Sequence, residues 1–172
     1  MIVLICGLSG SGKSSMIAAL KSEDPSVIHI RASKLLSDAG KPIAHISKED
    51  ALMNQNALAE LLAKELATDA PLVLIDGHVL IETAAGPYLL SDDALSNLKI
   101  NGVIFIAADP ELVSYRRQGT NMETSKEVLS HLMQLEAMQA RRFADARGIQ
   151  YARVDSGDVE AFKSKLSNML RQ

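Results

Sequence analysis

Short apolar runs alternate along the chain with longer stretches in which apolar residues recur every three or four positions. A short run rich in β-branched residues is typical of a strand buried on both faces, and the recurring pattern is typical of an amphipathic helix. This alternation predicts an α/β fold in which helices cover both faces of a parallel sheet. No internal repeat or low-complexity segment divides the chain, so we expect a single domain over residues 1–172.

The same pattern gives the bounds of the elements. Strands are predicted over residues 2–6, 27–30, 72–76, 102–107 and 150–154, and helices from 13, from 48 to about 68, over 92–98, from 110 to an end within 116–119, from about 125 to 146 and after 158. A loop is predicted over 82–88. The apolar residues expected to face the core are Leu52, Leu58, Leu61, Leu62 and Leu66 in the helix from 48, and Val128, Leu129, Leu132, Leu135 and Met138 in the helix from 125.

A glycine-rich segment follows the first strand and runs into the first helix. Residues 7–14 match the phosphate-loop pattern G-x-x-x-x-G-K-[ST] at every fixed position. Its glycines allow successive N–H groups to point at a polyphosphate, and the positive end of the next helix faces the same spot. A glycine-rich turn that binds nothing is the alternative, and the strand and helix around the loop argue against it. The residues predicted to bind the nucleotide are Gly7, Ser9, Gly10, Ser11, Gly12, Lys13, Ser14 and Ser15.

Within this loop, two side chains have chemistry of their own. Lys13 is expected to reach the β- and γ-phosphates of a nucleoside triphosphate, and the Ser14 hydroxyl to ligate Mg²⁺. The apolar strand at 72–76 ends in Asp76, which is the Walker-B pattern of an acid that holds the Mg²⁺ shell. His78 lies two residues further on; it either orients Asp76, the attacking group or a water, or it caps a turn.

Basic residues follow two other predicted elements. Arg116 and Arg117 lie at the end of the helix that starts at 110, where they either clamp the charge on a transferring phosphoryl group or are solvated helix-end cations. Arg31 and Lys34 follow the second strand, at the sheet edge where α/β proteins bind ligands. They are therefore placed to meet a second, anionic substrate, although lone basic residues are usually solvated. Residues 118–124 are polar and suit a small lid over the nucleotide.

Composition excludes several classes of protein. A net charge of −3 and an aromatic content of 3% argue against a dedicated nucleic-acid module. Cys6 is the only cysteine, so neither an internal disulfide nor a cysteine zinc cluster can form, and we expect it to be a core residue. The first apolar run is too short for a signal peptide and none approaches a membrane span, so we expect a cytoplasmic protein.

Taken together, these segments resemble the archaeal-type adenylate kinases and, more distantly, adenylate kinase isoenzyme 6. The resemblance rests on the loop at 7–14, on Asp76-Gly77-His78 as a D-x-H Walker B, on 81–89 as the segment leading into a G-Y-L run, and on the A-D-P helix from 108 that ends in paired arginines. It implies a five-stranded parallel sheet of order 2-3-1-4-5 and transfer of a phosphoryl group from ATP to a nucleoside monophosphate. In nucleotide kinases the turn after the last strand commonly passes beside the adenine, which here is 155–157.

The chain also departs from that family. Basic residues precede the pocket helix in the family, whereas residues 44–48 here read Ala-His-Ile-Ser-Lys. Either Gln55 or Asn54 takes the place of the base-reading glutamine. The lid of the family supplies further arginines, and residues 118–124 contain none.

The sequence therefore predicts an ATP- and Mg²⁺-dependent nucleotide-kinase-like phosphotransferase. Its predicted catalytic residues are Lys13, Asp76, His78, Arg116 and Arg117, with Ser14 and Asp76 as the metal ligands and a nucleoside monophosphate such as AMP bound within about 31–66. One alternative is a kinase of another small metabolite. The other is a nucleotide-dependent assembly factor or switch, whose slow ATP hydrolysis acts through a protein or RNA partner. The sequence does not indicate an oligomeric state.

Overall fold

The computed structural model describes residues 1–66, 71–91, 93, 96, 98–120 and 122–171. The strands are β1 (Ile2–Cys6), β2 (Ile28–Arg31), β3 (Val73–Asp76), β4 (Leu80–Thr83), β5 (Gly86–Leu89), β6 (Gly102–Ala107) and β7 (Gln150–Asp155). The helices are α1 (Lys13–Glu23), α2 (Ala32–Asp38), α3 (Lys48–Glu65), α4 (Pro110–Arg117), α5 (Lys126–Arg147) and α6 (Val159–Leu170). Among these residues, no helix combines the length and the apolar character that crossing a membrane requires.

Five strands form one parallel sheet in the order β2-β3-β1-β6-β7. Numbered along the chain as strands one to five, this is the order 2-3-1-4-5, and the predicted α/β fold is confirmed. The remaining strands, β4 and β5, pair with each other as an antiparallel hairpin.

The register of the central strands brings their carboxyl ends together. Asp76 at the end of β3 pairs with Ile5 of β1 and with Arg31 of β2. The loop that follows β1 and the residues that follow β2 and β3 therefore lie at one edge of the sheet, where α/β proteins bind their ligands.

Side chains of β1 alternate between the two faces of the sheet, as expected for a strand buried on both. Leu4 and Cys6 pack with residues of α3 and α5, including Leu62 and Phe143. Val3 and Ile5 pack with residues of α1 and α6 on the other face. Cys6 is fully buried, as predicted for a core residue.

Several details of the sequence prediction are wrong. A short helix, α2, starts directly after β2, and the segment interpreted as a loop over 82–88 belongs to the β4–β5 hairpin. Leu52, Val128 and Met138 were expected to face the core and are about half exposed. The predicted helix over 92–98 and the predicted helix end near 68 fall largely or wholly outside the described residues.

Candidate active site

The loop between β1 and α1 has the backbone geometry of an anion cradle. Gly12, the N-cap of α1, has a φ of 93°, and a Cβ there would lie 2.8 Å from the Ser156 hydroxyl. Only glycine meets both conditions without strain. The Gly10 carbonyl accepts a hydrogen bond from Arg116 at 2.7 Å and the Ser9 carbonyl accepts one from Arg117 at 3.0 Å. Two carbonyl groups of the loop are thus bound by cationic side chains of α4.

Lys13 lies inside this loop and is only 6% exposed. Its Nζ donates hydrogen bonds to the Gly7 carbonyl at 2.7 Å and to the Leu8 carbonyl at 3.2 Å. Burial lowers the pKa of Lys13, and this shift is opposed by the negative charges of Asp76 and Glu136. The cation is thus held at the loop by weak acceptors, which a phosphate oxygen can replace.

Asp76 and Ser14 form the pair predicted to hold the metal. The Ser14 hydroxyl donates to Oδ2 of Asp76 at 2.6 Å, and Lys13 Nζ lies 3.9 Å from Oδ1. Burial raises the pKa of Asp76, but His29, Lys13 and Ser14 outweigh it and bring that pKa below its ordinary value. The site therefore presents an ionised carboxylate beside a hydroxyl, which are the hard oxygen ligands that Mg²⁺ prefers.

His78 lies on the same side of the loop. Its Nδ1 is 4.0 Å from a carboxylate oxygen of Glu136. Burial and the neighbouring Lys13 lower the pKa of His78 to about 3. The imidazole is therefore neutral near pH 7, where it can donate or accept a hydrogen bond but carries no charge.

The two arginines at the end of α4 have different surroundings. The Arg116 guanidinium donates to the Gly10 carbonyl and lines a cavity over the phosphate loop. Arg117 is 3% exposed, and besides the Ser9 carbonyl it binds both carboxylate oxygens of Glu82, at 2.8 and 3.0 Å. Arg117 is thus a buried, bidentate link between the loop, α4 and the β4–β5 hairpin, rather than a solvated cation.

A cavity of about 480 Å³ opens over the phosphate loop. It is lined by Ser9, Gly10, Gly12, Lys13, Ser14, Ser15, Arg31, Ser33, Asp76, His78 and Arg116. A second cavity, of about 370 Å³, lies beyond the ends of β6 and β7, and Leu112, Asp155 and Ser156 are among its lining residues.

The comparisons with known proteins agree with this geometry. The sequence profile of the AAA domain family matches residues 6–136. The chain belongs to the AAA domain family. Among curated proteins, none matches this AAA domain. Its fold is similar to that of the shikimate kinase from Bacteroides thetaiotaomicron, with a TM-score of 0.61, 12% sequence identity, and coverage of 100% of this chain and 99% of that chain. At such identity the likeness shows a shared small-kinase fold and no more.

Most of the predicted site residues lie close together in this AAA domain. Lys13, Ser14, Asp76, His78 and Arg116 surround one cavity, and Arg117 lies behind the loop. Arg31 lines the cavity, whereas Lys34 pairs with Asp38 on the surface. A phosphate-loop domain binds nucleotides; the individual catalytic, metal-binding and lid roles stay predictions.

Glu136 of α5, for which the sequence predicted no role, is fully buried. Its Oε1 accepts hydrogen bonds from the amides of Gly7 at 3.1 Å and Val79 at 3.2 Å. Burial raises the pKa of Glu136 to about 7, against the opposing effects of the Val79 amide, Lys13 and the Gly7 amide. The signal was present in the sequence, because Glu136 falls on the face of α5 that Leu129, Leu132, Ala140 and Phe143 define.

His29 of β2 is a second site residue for which the sequence predicted no role. Its Nε2 lies 3.5 Å from Oδ2 of Asp76 on the neighbouring strand. Its side chain is largely buried there, and it helps to keep the Asp76 carboxylate ionised. A polar residue inside an otherwise apolar strand is the signal that could have revealed it.

Proposed function

We propose that this protein is an ATP-dependent phosphotransferase that moves the γ-phosphoryl group to a small anionic acceptor, with a nucleoside monophosphate such as AMP as the leading candidate. The observation that carries the proposal is the shared cavity. Lys13, Ser14 and Arg116 face it from the loop side, and Arg31 lines it beyond Asp76, at the end of the neighbouring strand. One cavity therefore has positive charge on both the donor and the acceptor side, as transfer between two anions requires.

Each residue on the donor side has a distinct task. Lys13 exchanges the loop carbonyls for β- and γ-phosphate oxygens, and Arg116 binds the transferring group from the opposite side. Ser14 and Asp76 would hold Mg²⁺, which when bound neutralises charge on the β- and γ-phosphates.

The second cavity suits the base of the donor nucleotide. Leu112 supplies an apolar wall, and Asp155 and Ser156 belong to the turn predicted to pass beside the adenine. The Cβ that Gly12 lacks would meet the Ser156 hydroxyl, so this turn closely approaches the phosphate loop. A nucleotide with its phosphates on the loop can therefore extend toward the ends of β6 and β7.

On the acceptor side, the contacts favour Gln55 over Asn54 as the base-reading residue. Asn54 is buried and donates its amide to the Pro42 carbonyl at 2.6 Å. Gln55 donates to the Ser91 hydroxyl at 3.3 Å, while its Oε1 is buried and has no partner among the described residues. Once this side chain turns toward the acceptor, its carboxamide oxygen can accept a hydrogen bond from the 6-amino group of adenine.

The chemistry proposed for Asp76 depends on the acceptor. A phosphate acceptor needs no general base, because it is already anionic and catalysis is mostly positioning and electrostatics. An alcohol acceptor needs one, and the ionised Asp76 beside Arg31 would serve a hydroxy acid whose carboxylate binds the arginine. That arrangement, in a fold shared with a shikimate kinase, favours a hydroxy-acid kinase as the second candidate.

A coupled assay that follows ADP release separates these functions. MgATP is tested against a panel of nucleoside monophosphates and small hydroxy acids, with K13M as the matched inactive control. Turnover of AMP at about 1–100 s⁻¹ supports the leading proposal. Turnover of only a hydroxy acid supports the second candidate. ATP binding with no soluble acceptor, together with co-purification of a protein or RNA, contradicts both and favours the nucleotide-dependent switch.

A further inference from the structure

Glu136 is a buried carboxylate that belongs to neither side of the proposed reaction. It is 0% exposed, and its Oε2 has no hydrogen-bond partner among the described residues. The nearby imidazole of His78 is neutral and does not compensate its charge. A carboxylate buried in this way destabilises the fold unless its hydrogen bonds compensate for the lost hydration.

Its other oxygen joins two segments of the site. Oε1 accepts from the amide of Gly7, the first residue of the phosphate loop, and from the amide of Val79, which directly follows His78. Gly7 and Val79 follow the neighbouring strands β1 and β3. A single atom of α5 therefore spans the donor loop and the segment that carries His78.

Gly7 is the residue through which a change in the donor loop can affect Glu136. The carbonyl of Gly7 is bound by Lys13 at 2.7 Å, while its N–H is bound by Glu136. When Lys13 turns to a triphosphate, as the proposed function requires, the carbonyl of Gly7 loses this anchor and only the N–H of the residue stays bound. A Cβ at Gly7 would lie 2.7 Å from the Ile106 carbonyl, so the Cα of Gly7 has little space on that side. A shift of Gly7 therefore affects Oε1 of Glu136, which also accepts a hydrogen bond from the Val79 amide.

We propose that Glu136 is a positioning residue that couples occupancy of the phosphate loop to the backbone of His78 and Val79. The coupling rests on the proposed exchange of Lys13 from loop carbonyls to phosphate, and it requires no particular acceptor. Because Val79 is fully buried, its amide reports the coupling without contact to a ligand.

Three variants of the full chain test this role, with MgATP as the probe. E136Q keeps an oxygen that accepts from both amides, whereas E136L removes it. Q139L is the matched control, because Gln139 is another buried polar residue of α5, and it donates to the Leu90 carbonyl at 2.6 Å. The readouts are the MgATP dissociation constant by calorimetry and amide hydrogen exchange at Gly7 and Val79 by NMR.

In the wild type, MgATP is expected to slow exchange at Val79 more than at Phe162 of α6, which reports global stabilisation. E136L is expected to lose this additional protection and about 10-fold in MgATP affinity, the lower end of what loss of an outer-shell partner costs at metal sites. E136Q is expected to retain both, and Q139L is expected to lose stability but neither of them.

The proposal is overturned if Val79 gains no more protection than Phe162 in the wild type, or if E136Q behaves like E136L. It is equally overturned if Q139L loses as much affinity as E136L, because the effect would then be one of stability alone. If E136L does not fold, the wild type and E136Q still decide the question. The kinase proposal fails separately, when no acceptor is turned over by a protein that shows this coupling.

Discussion

At the scale of single residues, the site holds its charges by different means. Asp76 is surrounded by donors and stays ionised, whereas His78 loses its charge to burial. Lys13 keeps two carbonyl partners inside the loop. The Lys13 side chain is almost fully buried. Its ammonium group is therefore partly desolvated before any phosphate arrives, which strengthens its attraction for one.

Substitution K13M tests the role of this cation. Methionine keeps the length and apolar body of the side chain but cannot neutralise phosphate, so phosphoryl transfer is expected to fall about 10²-fold or more. The unfolding free energy should change little, because the loss of two hydrogen bonds is offset by removal of a buried charge. Transfer rates and urea denaturation measure the two effects. A K13M protein with wild-type turnover would contradict the assignment of the whole donor site.

The raised pKa of Glu136 predicts a specific dependence of stability on pH. The folded protein binds this proton more tightly than the unfolded chain, since its pKa moves from an ordinary 4.5 to about 7. The stability contributed by Glu136 is present below 4.5 and is lost as pH rises through about 7. At 1.36 kcal/mol per pKa unit, the loss is about 3 kcal/mol.

Comparison with E136Q isolates this titration. Glutamine does not titrate, so the unfolding free energy of the wild type relative to E136Q should fall between about pH 5 and about pH 8. Any contribution of His78 is common to both proteins and cancels. Urea denaturation at the two pH values measures the difference, and equal pH profiles would show that Glu136 does not titrate in this range.

At the scale of elements, the end of α4 is fixed to its surroundings by two arginines with separate tasks. Arg117 links α4 to the β4–β5 hairpin through Glu82 and to the loop through the Ser9 carbonyl. Arg116 contacts the loop from the cavity side. The hairpin that the sequence analysis interpreted as a loop is thus part of the support of the phosphate site.

Substituting the two arginines separately should distinguish support from chemistry. R117M is expected to cost about 2 kcal/mol of unfolding free energy, less than a fully buried pair because Glu82 is 24% exposed. R116M should change stability by less than about 0.5 kcal/mol while slowing phosphoryl transfer about 10²-fold. Urea denaturation and steady-state kinetics measure both variants. E82Q is the control for the ion pair and should resemble R117M in stability; the reverse ranking of the two arginines would contradict this division.

Helix α5 shows where a pattern of apolar residues stops being informative. Leu129 and Leu132 are buried as predicted, but Val128 and Met138 are exposed, and Glu136 takes a core position. A prediction from hydrophobicity alone made the buried face of α5 too wide, because it took apolar residues to be buried and acidic residues to be exposed. The partners that make a buried acid tolerable are the amides of Gly7 and Val79, which are 129 and 57 residues away.

At the scale of the whole molecule, the fold was predictable for physical reasons. Fixed spacing identified the phosphate loop, and parallel strands bring their carboxyl ends to one edge, which placed Asp76 and Arg31 beside it. The pairing of Arg117 with Glu82 could not be predicted, because it depends on a hairpin formed 35 residues earlier. Sequence motifs and strand order therefore predicted where the site lies, whereas contacts between residues distant in sequence determine which of its charged side chains face the cavity.

Arg31 and Lys34 were both predicted to meet an anionic substrate, but they lie in different surroundings. Their difference provides a test of the acceptor side. Arg31 ends β2 beside Asp76 and lines the cavity, whereas Lys34 is exposed on α2 and binds Asp38 at 2.7 Å. A charge-assisted hydrogen bond contributes about 1.5–3 kcal/mol. R31M should therefore raise the acceptor KM about 10- to 100-fold and leave the ATP KM nearly unchanged. K34M, the matched loss of one positive charge, should alter neither KM, as measured by steady-state kinetics with each substrate varied in turn. If R31M raised only the ATP KM, Arg31 would belong to the donor side, and equal effects of both variants would show a general field rather than an acceptor contact.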